Sequence, residues 1–442
     1  MATPSHEPRK ATSKAVRTAT SKTAAATAKS LRIPITNVFD GNDYSAQILI
    51  GSQQVAANVI LDTGSSTLAV VPSVYQAAKD ADMKPTSLAQ QVQYGTGAWV
   101  GPVVNTSLVL GDPAGVTVTL PGAPIALTVA QSEGDFQGVD GIMGLAYLSL
   151  NQAYNLQAYL TKQKVNPPVT FPWPFSSANF TNAWKQFAEL ISAGGAISTS
   201  IDPYFMALET QGLTMNKFAF YTLRSWVRVA TNNKSAIAAD PLNNGFFILG
   251  GGEEQADLYS GAFVNVDVTH DVYYNTNLIS IQVDGCAAVK AKPLQAQYSG
   301  AGSNCIIDTG TNPLVLSNDV YQAVLQSLEK VNPKFISLIQ QAGQGSIASS
   351  LLNLADWPAI SFILTGDTGQ PVKLTCAPQT YWQEDYPAPG QSVFQIDPAG
   401  QNNPVNQSIL GLPLMNNYYT VFDRSLGAGK GIIRFAAITQ PS

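Results

Sequence analysis

Two short segments of the chain carry residue types suited to acid and base chemistry: Asp62-Thr63-Gly64-Ser65-Ser66 and Asp308-Thr309-Gly310-Thr311-Asn312. One Asp-Thr-Gly is most simply a turn in which the aspartate bonds its own backbone. Two of them, each followed by a hydroxyl residue, suggest a pair. Two carboxylates held close together cannot both ionise readily, so they keep one proton between them over a wide acid range. One is then a base and the other an acid, and a water between them can attack an amide carbon while the protonated partner donates to the carbonyl oxygen. Gly64 and Gly310 let backbone approach the carboxylates, and the hydroxyls of Ser65 and Thr311 can fix the carboxylate planes.

The rest of the catalytic repertoire is scarce. The 442 residues include two histidines, His6 and His270, and three cysteines, Cys286, Cys305 and Cys376. No motif surrounds either histidine, which disfavours a Ser/His/Asp or Cys/His device. The scattered cysteines cannot assemble a four-ligand zinc site with one body histidine. Neither a metal nor another cofactor is expected.

The elements that must place the aspartates read as strands. Val59-Ile60-Leu61 enters the first Asp-Thr-Gly and Leu68 to Val71 leaves it; Ile306-Ile307 and Leu314-Val315-Leu316 flank the second. Each half also has an apolar pair before glycine, Ile142-Met143-Gly144 and Ile409-Leu410-Gly411, at offsets of 82 and 103 from its aspartate. This approximate duplication implies two related β units. Further strands are expected at Ser45 to Ile50, Val55 to Leu61, Val116 to Leu120 and Ile125 to Ala130. Helices are expected at Thr181 to Ala193, Tyr204 to Gln211 and Asn318 to Lys330, the last capped by Asn318. Asn166-Pro167-Pro168 and Phe171-Pro172-Trp173-Pro174-Phe175 read as a surface insertion whose aromatics either pack the loop down or extend a ligand cleft.

Charged residues make up 12% of the chain, about half the usual share, so neutral polar groups carry solubility. Net charge is −5, but residues 1–32 hold seven Lys or Arg against Glu7, leaving the body at −11. The body's sign argues against a nucleic-acid partner. With few large apolar residues, residues 1–32 read as a disordered basic tail. No apolar run is long enough to span a membrane, and the tail lacks a secretory core. Sparse cysteines and no signal point to a cytoplasmic protein.

Taken together, these segments resemble the pepsin-like aspartic peptidases. Besides the two Asp-Thr-Gly loops, the resemblance rests on Tyr94-Gly95-Thr96-Gly97, Asp140-Gly141-Ile142-Met143-Gly144-Leu145-Ala146-Tyr147, Ile248-Leu249-Gly250-Gly251 and Ile409-Leu410-Gly411 with Tyr418 to Asp423. It spans roughly residues 35–437 and is closest in kind to members without disulfides. It implies an all-β, bilobal fold with two pseudo-twofold-related lobes, a deep cleft and few short helices. The expected lobes are 33–260, with the flap and the insertion, and 261–442. The implied activity is acid endopeptidase cleavage of extended polypeptides between hydrophobic residues by Asp62 and Asp308. Thr63 and Thr309 would interlock beneath the pair, and Tyr94, Gly95, Thr96 and Gly97 would form the flap. A monomer sensitive to statine-type peptide inhibitors is expected. The competing reading is a non-catalytic binding protein or enzyme inhibitor on the same fold. Three positions depart from the family pattern: Ala69 stands where a tryptophan is usual, Asn312 where a small hydroxyl residue is frequent, and Leu412 where an aspartate is common.

Overall fold

The computed structural model describes residues 30–441 except 96, 113–114, 133–135, 137, 176–178 and 401–404. Most of the expected basic tail therefore lies outside the described residues, as does Thr96. The exception is the tail's end: Leu31 and Arg32 begin the first strand, Leu31–Thr36, in which Leu31, Ile33 and Ile35 are buried in strict alternation. Composition put these residues in the tail, but Leu31 buries its side chain and Arg32 places its guanidinium 2.7 Å from Asp257.

That strand pairs with Asn244–Leu249, which pairs with Lys217–Tyr221. Lys217–Tyr221 pairs with Tyr418–Asp423, then come Ile432–Ile438 and Tyr259–Asp267. One antiparallel sheet thus draws strands from both ends of the described chain. Lys217 lies 3.2 Å from both Glu253 and Asp423, and Arg434 pairs with Glu253, an alternating ion network across this sheet.

The duplication is visible in the pairing. Val55–Asp62 runs parallel to Gly141–Gly144, with Asp62 opposite Gly144, and Leu68–Val70 lies antiparallel to the same strand. In the second half Cys305–Ile307 runs parallel to Ser408–Leu410, and Leu314–Leu316 lies antiparallel to it. In both halves the apolar pair slots between the strands entering and leaving the aspartate loop. The glycine after it is forced by close approach: a Cβ on Gly144 would lie 2.3 Å from Ser66 N, and one on Gly411 would lie 2.1 Å from Thr311 O.

Ser45–Ile50 and the three helices Phe180–Ser192, Tyr204–Thr210 and Asn318–Val331 fall within a residue or so of their expected bounds. Asn318 is not the cap of its helix: Ser317 holds that position, and no side chain caps it. The two strands expected at 116–120 and 125–130 are largely one, Thr117–Leu127, because Gly122 at φ +68° and a bulge opposite Thr106 and Leu108 absorb the Pro121-Gly122 break. The Pro and aromatic insertion packs down. Trp173 and Phe175 both lie 5.9 Å from Phe187, which is fully buried.

The stretch between Asp62 and Tyr94 is held by a carboxylate. Asp80 accepts from Tyr75 Oη at 2.6 Å, Thr106 Oγ1 at 2.5 Å, Ser52 N at 2.8 Å, Ser52 Oγ at 2.9 Å and Asp82 N at 2.9 Å. Burial pushes its acidity the other way, but these donors outweigh it and hold the carboxyl well below the usual range. A depressed group contributes stability that is present above the ordinary aspartate range and is lost only as pH falls through its folded value. Asp80 therefore stays ionised at pH 4. Asp80→Asn is expected to cost about 2 kcal/mol at both pH 4 and pH 7, read by thermal unfolding. An unchanged midpoint at both would refute the assignment.

Candidate active site

Asp62 closes the strand Val55–Asp62, and Asp308 follows Cys305–Ile307, so two buried strand ends deliver the carboxylates to one place. Both residues are 7% exposed. Each is held by its own loop: Gly64 N donates to Asp62 Oδ1 at 2.6 Å, and Gly310 N to Asp308 Oδ1 at 2.9 Å. The loops also face each other. A Cβ on Gly64 would stand 2.6 Å from Asp308 Oδ2, and one on Gly310 would stand 2.4 Å from Asp62 Oδ1. Glycine is required at both because the partner's carboxylate occupies the space a side chain would need.

The hydroxyls differ between halves. Thr311 Oγ1 donates to Asp308 Oδ2 at 2.7 Å. Ser65, in the matching position, has its Oγ buried without a hydrogen bond of ordinary geometry. Beneath the pair the threonines interlock. Thr63 N donates to Thr309 Oγ1 and Thr309 N to Thr63 Oγ1, each at 2.9 Å, while Thr309 Oγ1 donates to Leu61 O at 2.8 Å and Thr63 Oγ1 to Ile307 O at 3.3 Å.

Burial, and then the Asp308 carboxylate, raise Asp62 well above the usual aspartate range. The pair opens on a cleft of about 800 Å³, lined from the first half by Tyr94 and Gly95 and from the second by Thr311, Asn312 and Tyr273. Tyr94 N donates to Gly97 O at 2.7 Å, which closes the hairpin tip, while Gly95 has open space around its Cα. All the expected site residues that are described therefore lie at the carboxylates, beneath them, or in the hairpin over the cleft.

Sequence reasoning missed Asp40, Asp43 and Tyr273, which also line the cleft. Asp43 is raised by burial and by Asp40, Asp62 and Asp308; Tyr273 is raised by burial and by Asp308 and Asp62. A signal existed in the tyrosine that follows each of Asp43 and Tyr273: Tyr44 directly precedes the strand Ser45–Ile50, and Tyr274 opens the strand Tyr274–Thr276. Tyr44 Oη accepts from Leu223 N at 3.2 Å, and Tyr274 Oη donates to Leu145 O at 2.9 Å, so each buried ring fixes the residue before it at the cleft.

The departures fall in different places. Asn312 faces the cleft, whereas Leu412 is fully buried away from it. Ala69 is buried in one cluster with Trp99, which comes from the hairpin's return strand and supplies indole bulk beside Tyr94 and Val92. Among the described residues, no group of three or more His, Cys, Asp or Glu side chains is arranged to hold a metal ion. Burial raises the thiols of Cys305 and Cys376, the latter to about 12, which leaves them unreactive at physiological pH.

Comparison with known proteins agrees with this geometry. A family described as eukaryotic aspartyl protease matches residues 43–171 and 205–436, which include both Asp-Thr-Gly loops. Gastricsin of Cavia porcellus is 23% identical over 396 residues, covering 86% of this chain and 77% of its own. Cathepsin E-A of Xenopus laevis is 26% identical over 412 residues, covering 88% and 79%. Cathepsin E of Aquarana catesbeiana is 26% identical over 424 residues, covering 92% and 81%. Mostly β, with its motifs duplicated about a cleft, the chain belongs to the eukaryotic aspartyl protease family and is a pepsin-like aspartic endopeptidase.

Proposed function

We propose that Asp62 and Asp308 are the catalytic pair of this endopeptidase, and that it cleaves extended polypeptides at acid pH, between hydrophobic residues. The observation that carries the reading is the mutual approach of two buried carboxylates, so close that only glycine fits beside either. The pair carries one proton. Water between them gives a proton to the ionised carboxylate and attacks the amide carbon, while the protonated carboxyl donates to the carbonyl oxygen. As the tetrahedral intermediate collapses, one of its hydroxyls returns a proton to the carboxylate that donated, the carbon–nitrogen bond breaks, and the leaving amine takes the proton the base received, so the pair again holds one proton. Thr63 and Thr309 hold the two loops in register. Gly64, Ser65, Gly310 and Thr311 orient the carboxyl planes. The hairpin Tyr94 to Gly97, including Thr96, covers the bound peptide.

The lobes are proposed as 33–260 and 261–442, sharing the sheet built from both. No described helix is long and apolar enough to cross a membrane. Three unpaired thiols suit a reducing compartment, so we place the enzyme in the cytoplasm, acting as a monomer.

Because Asp62 is raised, the shared proton is retained well above the ordinary carboxylate range, so cleavage should persist through acid pH and fall as pH rises through that raised value. An extended hydrophobic peptide is expected to be cut between about pH 3 and 6, with a statine-type transition-state mimic blocking it. No cleavage across that window, with the mimic still bound, would instead identify a binding protein.

A further inference from the structure

Residues 172–204 fall between the two stretches that match the family, yet the described residues among them pack on the hairpin that carries Tyr94. Its strands, Lys84–Gln93 and Ala98–Gly111, have two apolar faces. One face, with Val92, Trp99 and Val103, packs against Ala69 and Ile142 of the lobe. The other, with Ala89 and Val100, lies under Phe187 of the helix Phe180–Ser192. That helix is started by Asn179, whose side chain accepts from Asn182 N at 3.2 Å, and it presents Ala183 and Phe187, one turn apart, to the hairpin. Gln91 Nε2 donates to Trp184 O at 3.1 Å, a direct polar tie between the hairpin and the helix.

The same segment is tied in at its far end. Ile197–Ser200 pairs with Gln152–Asn155, which pairs with the hairpin through Tyr154 opposite Ala89. Just before it, buried Asn151 accepts from Thr67 Oγ1 at 2.9 Å and Gln90 Nε2 at 2.8 Å, and donates to Ile201 O at 2.9 Å. One side chain thus joins the loop after Asp62, the outgoing hairpin strand and the end of the segment.

A hairpin that only covers a cleft needs one apolar face, toward its lobe. This one is buried on both, so lifting it exposes two interfaces rather than one. We propose that residues 172–204 are a brace that sets the resting position of the flap over Asp62 and Asp308, with Phe187 as its positioning residue. This rests on the flap role assigned above to Tyr94 to Gly97. A braced flap reaches the peptide already placed, so less ordering opposes binding.

Hydrogen exchange on the full chain tests the brace without needing activity. Phe187→Ala is expected to speed exchange at the amides of Ala89, Val92 and Trp99 by about 10-fold or more while Val59 and Leu61 stay protected. The KM for an extended peptide should rise roughly fivefold, and a statine-type inhibitor should dissociate correspondingly faster, with kcat changed less than about twofold. Phe187→Leu, which keeps most of the volume, should recover most of both. Unchanged flap exchange, or exchange raised equally throughout the lobe, would overturn the brace. If Phe187→Ala does not fold, Gln91→Leu removes only the tie to Trp184 O and should still speed flap exchange severalfold; no change there overturns the proposal equally. A wild-type chain that cleaves nothing but shows this localised response would refute the catalytic reading and leave the brace standing.

Discussion

Asp62→Asn and Asp308→Asn are each expected to reduce peptide cleavage by about 10⁴-fold or more without unfolding the chain. An amide can neither hold the shared proton nor take one from water, so either change removes the acid–base pair as a unit rather than half of it. Asp62→Asn should also stabilise the protein at neutral pH. The folded-state acidity of Asp62 is raised, by burial first and by Asp308 second. Its contribution to stability is therefore fully present below the ordinary aspartate value and is lost as pH rises through the raised one. At pH 7 the wild type bears that loss and the asparagine variant does not, a difference on the order of 2 kcal/mol that should vanish near pH 3. Thermal midpoints at the two pH values, beside a peptide assay, give both readings. Retained cleavage in either variant would mean the wrong carboxylates were chosen, and a lower midpoint for Asp62→Asn at pH 7 would mean that burial does not strain the pair.

The aspartate loops were legible because the motif and the strands flanking it are local, although the contacts that lock the two loops together are not. Apolar runs predict the flanking strands, and glycine appears wherever backbone or a carboxylate leaves no room for Cβ, as at Gly64, Gly144, Gly310 and Gly411. What was not legible depends on residues distant in sequence. The shared sheet brings Leu31–Thr36 beside Asn244–Leu249 and sets Lys217–Tyr221 beside Tyr418–Asp423, and no local pattern names those partners. The same holds for Asp80, whose donors lie at Ser52, Tyr75, Asp82 and Thr106, and for Asp43, whose acidity is raised by burial first and then by Asp40, Asp62 and Asp308. Ala69 read as a missing indole. Trp99, opposite Val92 in the hairpin, shares a buried cluster with Ala69, a proximity visible only once both strands are placed. The helix Lys334–Ala342 escaped notice because Pro333 directly precedes it; proline is tolerated at a helix start, although it breaks the pattern of the preceding helix.

Thr309→Val carries the largest structural effect expected outside the carboxylates. The hydroxyl of Thr309 accepts from Thr63 N and donates to Leu61 O, and valine, with nearly the same shape, removes both bonds and leaves a buried amide and a buried carbonyl without partners. Each orphan costs about 1–3 kcal/mol, so a destabilisation of about 3 kcal/mol is expected by chemical denaturation. The activity loss should be larger than stability alone predicts, about 10²-fold in kcat, because Leu61 and Thr63 bracket Asp62 and a small displacement of that loop separates the carboxylates. Thr309→Ser keeps the hydroxyl and should retain most of both properties. Thr311→Val, which breaks a single bond to Asp308 at the open side of the site, should cost far less in stability. Equal losses in the serine and valine variants of Thr309 would assign the effect to the methyl group, and the hydrogen-bonded interlock would then not be what holds the two loops in register.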